Sequence, residues 1–358
     1  LRLGLVIYGS LETVSGGYLY DRKLVEHLRS RGDAVEVISV PWRPYGRALL
    51  DNLSPPLFKR LTRASFDLLL QDELAHPSLC RLNYRLRRRV SYPLVALVHH
   101  LRACEARPAW QNFWQRQVER QYLTSVDGFI CTSNATRHEV ELLAGSGRPA
   151  VVAPPGGDHL PDGLSQEQVW HRAGSPGACR LLFVGNLIPR KGLHHLLDAL
   201  SSLPQQDWRL TVIGGSELDP PYARTIRNRI AALRLAGKID LLGRRSREEL
   251  VERLQESHLL VVPSSYEGFG IVYLEAMRFG LPVIAGDAGG PREIVSHGVN
   301  GFLVPPGDPA ALSRYLEAFI KNRDLLRRMS LAALTTSASQ PTWEGSAERV
   351  RDFLLGFS

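Results

Sequence analysis

Cysteine is scarce and scattered: Cys80, Cys104, Cys131 and Cys179 show no CxxC and no paired spacing. That pattern suggests neither a disulfide framework nor a zinc site. No apolar run approaches the roughly 20 residues of a membrane-spanning helix. The longest, "YPLVALV" and "HLLVVP", have the length of buried strands. A signal-peptide-like apolar region is also lacking, so a cytoplasmic setting is expected. The spacing GxGxxG does not follow the first apolar run, where "SGG" stands instead. This argues against a dinucleotide-dependent oxidoreductase. Acidic residues are the minority charge, with Asp+Glu 36 against Lys+Arg 44 and a formal net charge of +8. An excess of this sign predicts an anionic partner: a phosphorylated small molecule, an acidic membrane or nucleic acid.

What is present is the composition of a globular chain, 44% hydrophobic and 22% charged over 358 residues, a length suited to two domains. "LRLGLVIYGS" reads as a buried strand. In the segment after it Tyr20, Leu24 and Leu28 recur every fourth residue until Arg31-Gly32 stops the pattern, and "AVEVISV" is a second strand. Strand, glycine-containing turn, helix and strand make a βαβ unit and predict a parallel sheet. Further strands are expected at 66–72, 93–100 and 128–133. Their polar carboxyl ends would face a ligand crevice.

The Pro- and Gly-crowded stretch around 154–178 has no sustained period and reads as a linker. A second strand–helix alternation begins after it, at "RLLFVGNL", and runs through "PVIAGD"; a helical stretch over about 308–337 and a tail containing Trp343 close the chain. The expected organisation is a Rossmann-like domain over 1–155, a linker over 156–178, a second Rossmann-like domain over 179–338 and a tail over 339–358 packing back on the first. Two Rossmann-like, doubly wound halves facing across a cleft offer a favoured place for a ligand.

Two glutamates stand in an apolar, glycine-rich neighbourhood, "SSYEGFGIVYLEAMRFG". Strand, turn and helix are expected here, with Gly280 and Pro282 as stop signals. Glu267 then lies at a helix N-terminus and Glu275 about one turn inside. Gly268 and Gly270 remove side chains from that terminus, which carries roughly half a positive charge and favours a phosphate. A carboxylate one turn along could accept two hydrogen bonds from a ribose diol. A simpler reading also fits, with Glu267 as a dipole-stabilised end carboxylate and Glu275 on a solvated face. At "FVGNLIPRKGLHHLL" the layout repeats: Gly185-Asn186 end a strand, and Arg190-Lys191-Gly192 enter a helix. Two adjacent cations there could neutralise a diphosphate, or be ordinary surface charge.

The succession of "SGG", "GN…RKG" and two glutamates separated by seven residues resembles the retaining glycosyltransferases of GT-B fold, family 4. The resemblance spans nearly the whole chain and is densest over 181–305, including "AGGPREIV" and "HGVNGFLVPPGD". It implies a nucleotide-sugar donor, UDP- or GDP-linked, and a hydroxyl acceptor. Arg190 and Lys191 would hold the diphosphate, Glu275 the ribose and Glu267 the transferred sugar's hydroxyls. Backbone N–H groups of Phe269, Gly270 and Ile271, after Gly268, would lie near phosphate and sugar. Gly16 and Gly17 would close over the diphosphate, and Gly243 and Arg244 would border the base. Asn186 departs from the arginine of many members, which puts more of the neutralisation on Arg190 and Lys191. No two aspartates are two residues apart, so the Asp-x-Asp metal pair of many transferases is missing and no divalent metal or other cofactor is expected. A histidine after the fourth strand should lie near the sugar. His99 is favoured and His100 is the alternative; a strand-end histidine with a purely structural bond is the plainer reading.

The acceptor, whether lipid, glycan or secondary metabolite, is not specified. Arg81, Arg85, Arg87, Arg88 and Arg89 precede a stretch holding Trp110, Phe113, Trp114 and Tyr122 among arginines. Basic residues beside aromatics suit an anionic bilayer, so peripheral attachment through 81–89 and 110–122 is expected, with no nucleic-acid partner. Aromatics packed inward from a solvated helix would give the same pattern. An epimerase or a non-catalytic nucleotide-sugar binder on the same scaffold remain rival functions.

Overall fold

The computed structural model describes residues 1–105 and 107–357. The chain divides into two compact units, one formed by Leu1–Pro155 with the segment from Pro341 onward, the other by Gly156–Gln340. Each contains one six-stranded, wholly parallel sheet with flanking helices.

In the first unit the strands are β1 (Arg2–Tyr8), β2 (Ala34–Val40), β3 (Leu68–Asp72), β4 (Leu94–Val98), β5 (Gly128–Cys131) and β6 (Ala150–Val152). They are ordered β2-β1-β3-β4-β5-β6. Central β3 and β4 are buried throughout, while edge strand β2 alternates between exposed and buried positions. This is the difference expected between a strand covered on both faces and one at a margin. The order reverses between β1 and β3, and the helix Gly16–Ser30 starts beside that reversal. Ser15 caps it, its hydroxyl accepting from the Tyr18 N–H. The C-terminal helix Trp343–Leu355 packs on this helix, with Glu348 2.7 Å from His27 and Arg351 2.8 Å from buried Asp33.

The second unit holds β7 (Cys179–Val184), β8 (Trp208–Ile213), β9 (Ile239–Gly243), β10 (Leu259–Val262), β11 (Val283–Gly286) and β12 (Gly301–Val304), ordered β12-β11-β10-β7-β8-β9. Its reversal falls between β7 and β10. Residues 156–178 are not a free linker: they fold into this unit. Ser165 and Gln168 form a reciprocal capping box that starts the helix Gln166–Ala173, which buries Val169 and Ala173. Pro and Gly flank this short helix closely enough to hide its period. The expected helix over 308–337 is two, Pro309–Lys321 and Arg323–Ser339. Asn322 between them is extended, and its side chain accepts from the Leu325 N–H. The break is thus an N-cap, set by asparagine's preference for that position. Strand ends differ by one or two residues: β3 begins at Leu68, and β5 ends at Cys131.

Candidate functional site

In an open parallel sheet the strands flanking a reversal send their following loops to opposite sides, leaving a crevice at their carboxyl ends. In the second unit these loops are Gly185–Gly192 after β7 and Pro263–Gly270 after β10. They bring the basic pair onto the first glutamate. Lys191 Nζ lies 2.6 Å from Glu267 Oε1, and Arg190 Nη1 lies 3.2 Å from Oε2. Ser264 donates to the same Oε1 at 2.6 Å, and Arg190 also donates to the Tyr266 carbonyl at 2.7 Å. Gly192 enables this approach: it takes a left-handed φ of +73°, and a Cβ there would stand 2.2 Å from the Pro263 carbonyl.

Glu267 is 7% exposed. Burial pushes its carboxyl up, yet Lys191 and Arg190, with hydrogen bonds from Lys191 and Ser264, outweigh it and hold the pKa at about 2. Lys191 is lowered from its ordinary value, chiefly by burial and further by Arg190, against the pull of Glu267. Two cations meet one carboxylate, leaving one positive charge in excess. Glu267 is therefore more than an end carboxylate, and Arg190 and Lys191 are more than surface charge.

The helix Ile271–Arg278 begins beside this cluster. Gly270, at φ +100°, is its N-cap; no side chain caps the helix and its first turn carries no acidic residue. A Cβ on Gly270 would meet the Tyr273 ring at 2.4 Å. Gly268 and Phe269 complete the turn, with Phe269 buried. Glu267 is strapped from behind, its N–H bonding the Ala288 carbonyl and its carbonyl accepting from Gly290. That accounts for the Gly289-Gly290 pair in the sequence, since a Cβ on Gly290 would sit 2.3 Å from the Gly268 carbonyl.

Glu275 is not on a solvated face. It is buried, and its Oε1 lies 2.8 Å from His159 Nε2. His159 escaped the sequence reading because it sits in the aperiodic "PPGGDHLPDG". Only a hydrogen bond across 116 positions marks it. Gly185 and Asn186 close β7. Gly243 and Arg244 end β9, two strands along the same sheet edge, where Arg244 is exposed and pairs with Glu217 at 3.2 Å. Gly185 lies against the Lys191 stem, 3.4 Å from where its Cβ would stand, whereas Gly243 and Arg244 do not touch the Arg190–Lys191–Glu267 cluster among the described residues.

In the first unit Gly16 and Gly17 open the helix Gly16–Ser30. His99, just past β4, packs so closely that a Cβ on Gly17 would be 3.2 Å from its ring. His99 Nε2 bonds Asp21 Oδ1 at 3.0 Å. His100 points elsewhere, its Nε2 2.9 Å from Glu105. The two histidines thus separate by partner: His99 belongs to the glycine turn, His100 to the following loop.

The family models agree with this architecture. "Glycosyltransferase Family 4" matches residues 18–159, and "Glycosyl transferases group 1" matches residues 175–335. The chain is 31% identical over 245 residues to the D-inositol 3-phosphate glycosyltransferase of Nocardia farcinica, covering 64% of this chain and 52% of that protein. It thus spans about half the length of this relative. Along nearly its whole length it is 28% identical to the phosphatidyl-myo-inositol mannosyltransferase of Mycobacterium leprae, covering 98% of this chain and 95% of the other. Among solved structures, sucrose-phosphate synthase from Thermosynechococcus elongatus superposes with a TM-score of 0.82 at 21% identity, covering 99% and 98% of the two chains. Anabaena HepE in complex with UDP-glucose gives 0.77 at 21% identity, covering 99% of each. The fold is GT-B. The chain belongs to the glycosyltransferases of family 4, glycosyl transferases group 1.

Proposed function

We propose that this chain moves a sugar from a nucleoside-diphosphate donor to a hydroxyl acceptor, with retention of configuration and without a divalent metal. The observation that carries the reading is the convergence of Arg190 and Lys191 on Glu267 beside an uncapped helix N-terminus. The leaving group is a nucleoside diphosphate, so the main catalytic demand is to stabilise negative charge. One excess positive charge and oriented N–H groups of Phe269, Gly270 and Ile271 supply that field. The groups with metal-ligand spacing among the described residues, Asp21–Asp72–His99 and Glu73–His76–Glu119, both lie in the first unit. HepE, an even match along the whole chain, has been solved in complex with UDP-glucose, which supports a nucleotide-sugar donor.

Glu267 accepts from Lys191 and Ser264 on one oxygen, and Arg190 takes a place beside the other as an ion pair at 3.2 Å. A carboxylate has about four acceptor positions, which leaves roughly one on Oε2 for a sugar hydroxyl. Held at about 2, the carboxyl is also a weak base and a weak nucleophile. That favours departure and attack on the same face, assisted by the leaving phosphate, over a covalent glycosyl-Glu267 intermediate. By the resemblance His99 takes the sugar side of the reaction, and Gly16 and Gly17 the diphosphate.

Incubation with UDP-, GDP- and ADP-sugars tests the whole reading. Slow release of nucleoside diphosphate, undiminished by EDTA, is the expected result. An altered sugar would make the protein an epimerase. Tight binding with intact donor would make it a binder, and loss of turnover on chelation would end the metal-free account.

Glu275 is assigned the ribose diol, sharing its Oε1 with His159. E275A should weaken nucleoside diphosphate binding by about 1.5–3 kcal/mol, the range for hydrogen bonds to a charged group. Titration calorimetry reads this directly, and an unchanged dissociation constant removes the ribose assignment.

For the acceptor we infer a lipid-linked hydroxyl at an anionic surface. In the helix Ala109–Leu123, Trp110, Phe113 and Trp114 are 67%, 58% and 65% exposed at adjoining positions of one face. Tyr122 alone packs inward. Arg81, Arg85, Arg87, Arg88 and Arg89 are exposed. Tyr84 ties their segment to this helix by donating to the Gln121 carbonyl at 3.2 Å. A surface cavity of about 330 Å³ between Arg116, Arg120 and Leu142–Gly145 has the charge for a phosphate headgroup. The phosphatidyl-myo-inositol mannosyltransferase relative is named for an acceptor of this class. Among the described residues no helix is long and apolar enough to cross a membrane, and the attachment we infer is peripheral, through this aromatic and basic face. Vesicles with anionic lipid should pellet the protein at low salt and release it at high salt, and W110A/W114A should stay in the supernatant. Equal pelleting of the variant and the native chain would discard this surface.

A further inference from the structure

Behind His99 lies a charge arrangement that the reaction as proposed leaves unused. Asp21, on the helix Gly16–Ser30, and Asp72, the last residue of β3, are 0% and 2% exposed. Their carboxylate oxygens and the His99 ring nitrogen lie within 4.8 Å of one another. Asp21 Oδ1 holds His99 Nε2 at 3.0 Å, while Asp21 Oδ2 is buried with no hydrogen-bond partner among the described residues. Asp72 Oδ1 accepts from the Leu74 N–H at 2.9 Å.

Two buried carboxylates this close cannot both ionise cheaply, and an unsatisfied buried oxygen is costly as well. One proton held on Asp72 removes the repulsion, and its O–H would be the donor for Asp21 Oδ2 if turned toward it. We propose that Asp21 and Asp72 share a proton and together hold His99 as an imidazolium, with Nε2–H fixed on Asp21. Gly17 lies against the Cδ2–Nε2 edge of the ring, so Nδ1–H is the donor left for a substrate oxygen. Asp21 and Asp72 are then positioning residues. Their catalytic meaning rests on the proposed role of His99 at the transferred sugar.

The electrostatics agree. Burial raises Asp72, and the charge of Asp21 raises it further, to about 7, which brings its proton uptake close to neutral pH. For His99 burial opposes the charge, but the field of Asp21 and its hydrogen bond to the ring prevail and the pKa is raised. The other ionisable groups facing the triad are Tyr18, Tyr20, Tyr122 and Glu73. Burial raises all three phenols, which stay neutral. Glu73 is raised to about 8, first by burial, and shares a hydrogen bond with Glu119. Neither set removes the charge on His99. The sign follows for stability: a raised histidine pKa stabilises the fold fully below the unfolded value near 6.5, and the gain is lost as pH rises through the folded value.

Histidine-selective ¹⁵N labelling and long-range ¹H–¹⁵N spectra test the proposal without donor present, the His99 signal being assigned with H99Q. In the native chain the ring should titrate with a midpoint above 6.5, and both nitrogens should show imidazolium shifts at pH 6.5. In D21N the ring should be neutral at that pH, its titration midpoint lower by one unit or more. In D72N, which imitates the protonated carboxyl, it should stay charged. A neutral His99 in the native protein overturns the proposal whether or not D21N folds, and so does an unchanged midpoint in folded D21N. Broadening of the His99 signal by micromolar Mn²⁺ that D21N abolishes would make the triad a metal site instead. Turnover of H99Q separates the two layers: normal turnover removes His99 from the reaction and leaves the charge arrangement standing.

Discussion

K191A loses turnover by about 10²–10³-fold, the effect of deleting one preorganised charge donor at a developing anion. Lys191 Nζ sits 2.6 Å from Glu267 and is mostly shielded from water, so its field acts at low effective dielectric and little of it is screened. Because charge on the leaving diphosphate grows toward the transition state, kcat should fall more than KM rises. The substitution also strips Glu267 of its nearer cation, leaving Arg190 at 3.2 Å as its remaining charge partner. Thermal unfolding of the variant therefore belongs beside the kinetics. Release of nucleoside diphosphate, followed under single-turnover conditions with the native chain in parallel, gives the ratio. A rise in KM at constant kcat would mean that Lys191 only binds the donor.

E267Q separates charge from shape. The amide keeps the side chain's size and still offers an oxygen to Lys191 and Ser264, but it turns an N–H₂ donor toward Arg190 Nη1. Two donors at 3.2 Å repel, so Arg190 should lean on its second acceptor, the Tyr266 carbonyl at 2.7 Å. The site's excess charge rises by one. UDP should therefore bind at least as tightly as before, while turnover falls about 100-fold because cation and sugar hydroxyl are no longer held in register. Weaker UDP binding with unchanged turnover would show that the carboxylate serves only to build the diphosphate pocket. The variant should also alter acid stability. A carboxyl depressed to about 2 contributes stability that is complete above its unfolded pKa near 4.3 and disappears as pH falls toward 2. E267Q should lack that component of the melting curve between pH 5 and 3.

Much of this site was legible in the chain because its parts are local. Gly268, Gly270 and the two glutamates lie within nine positions, and helix period and cap preference alone set their placement along strand, turn and helix. Gly16-Gly17 and the "RKG" turn are legible in the same way. The choice between His99 and His100 was not. Both follow the same strand, and only the packing of Gly17 and Asp21 on one ring separates them. Local pattern also misled: the capped helix Gln166–Ala173 hides between prolines and glycines, and Asn322 divides one apparent helix into two.

The sequence by itself determined the strand–helix alternation, the two parallel sheets and the residue types that could meet a diphosphate, because periodicity, caps and glycine turns act over a few neighbouring positions. Only the tertiary structure decided that Lys191 and Arg190 close on Glu267, that His159 takes Glu275, and that Asp21 and Asp72 stand behind His99. Those pairs are 76, 116 and 78 positions apart where measured. They exist because the strand order reverses and carries distant loops to one end of a sheet, where burial then makes each charge depend on its partner.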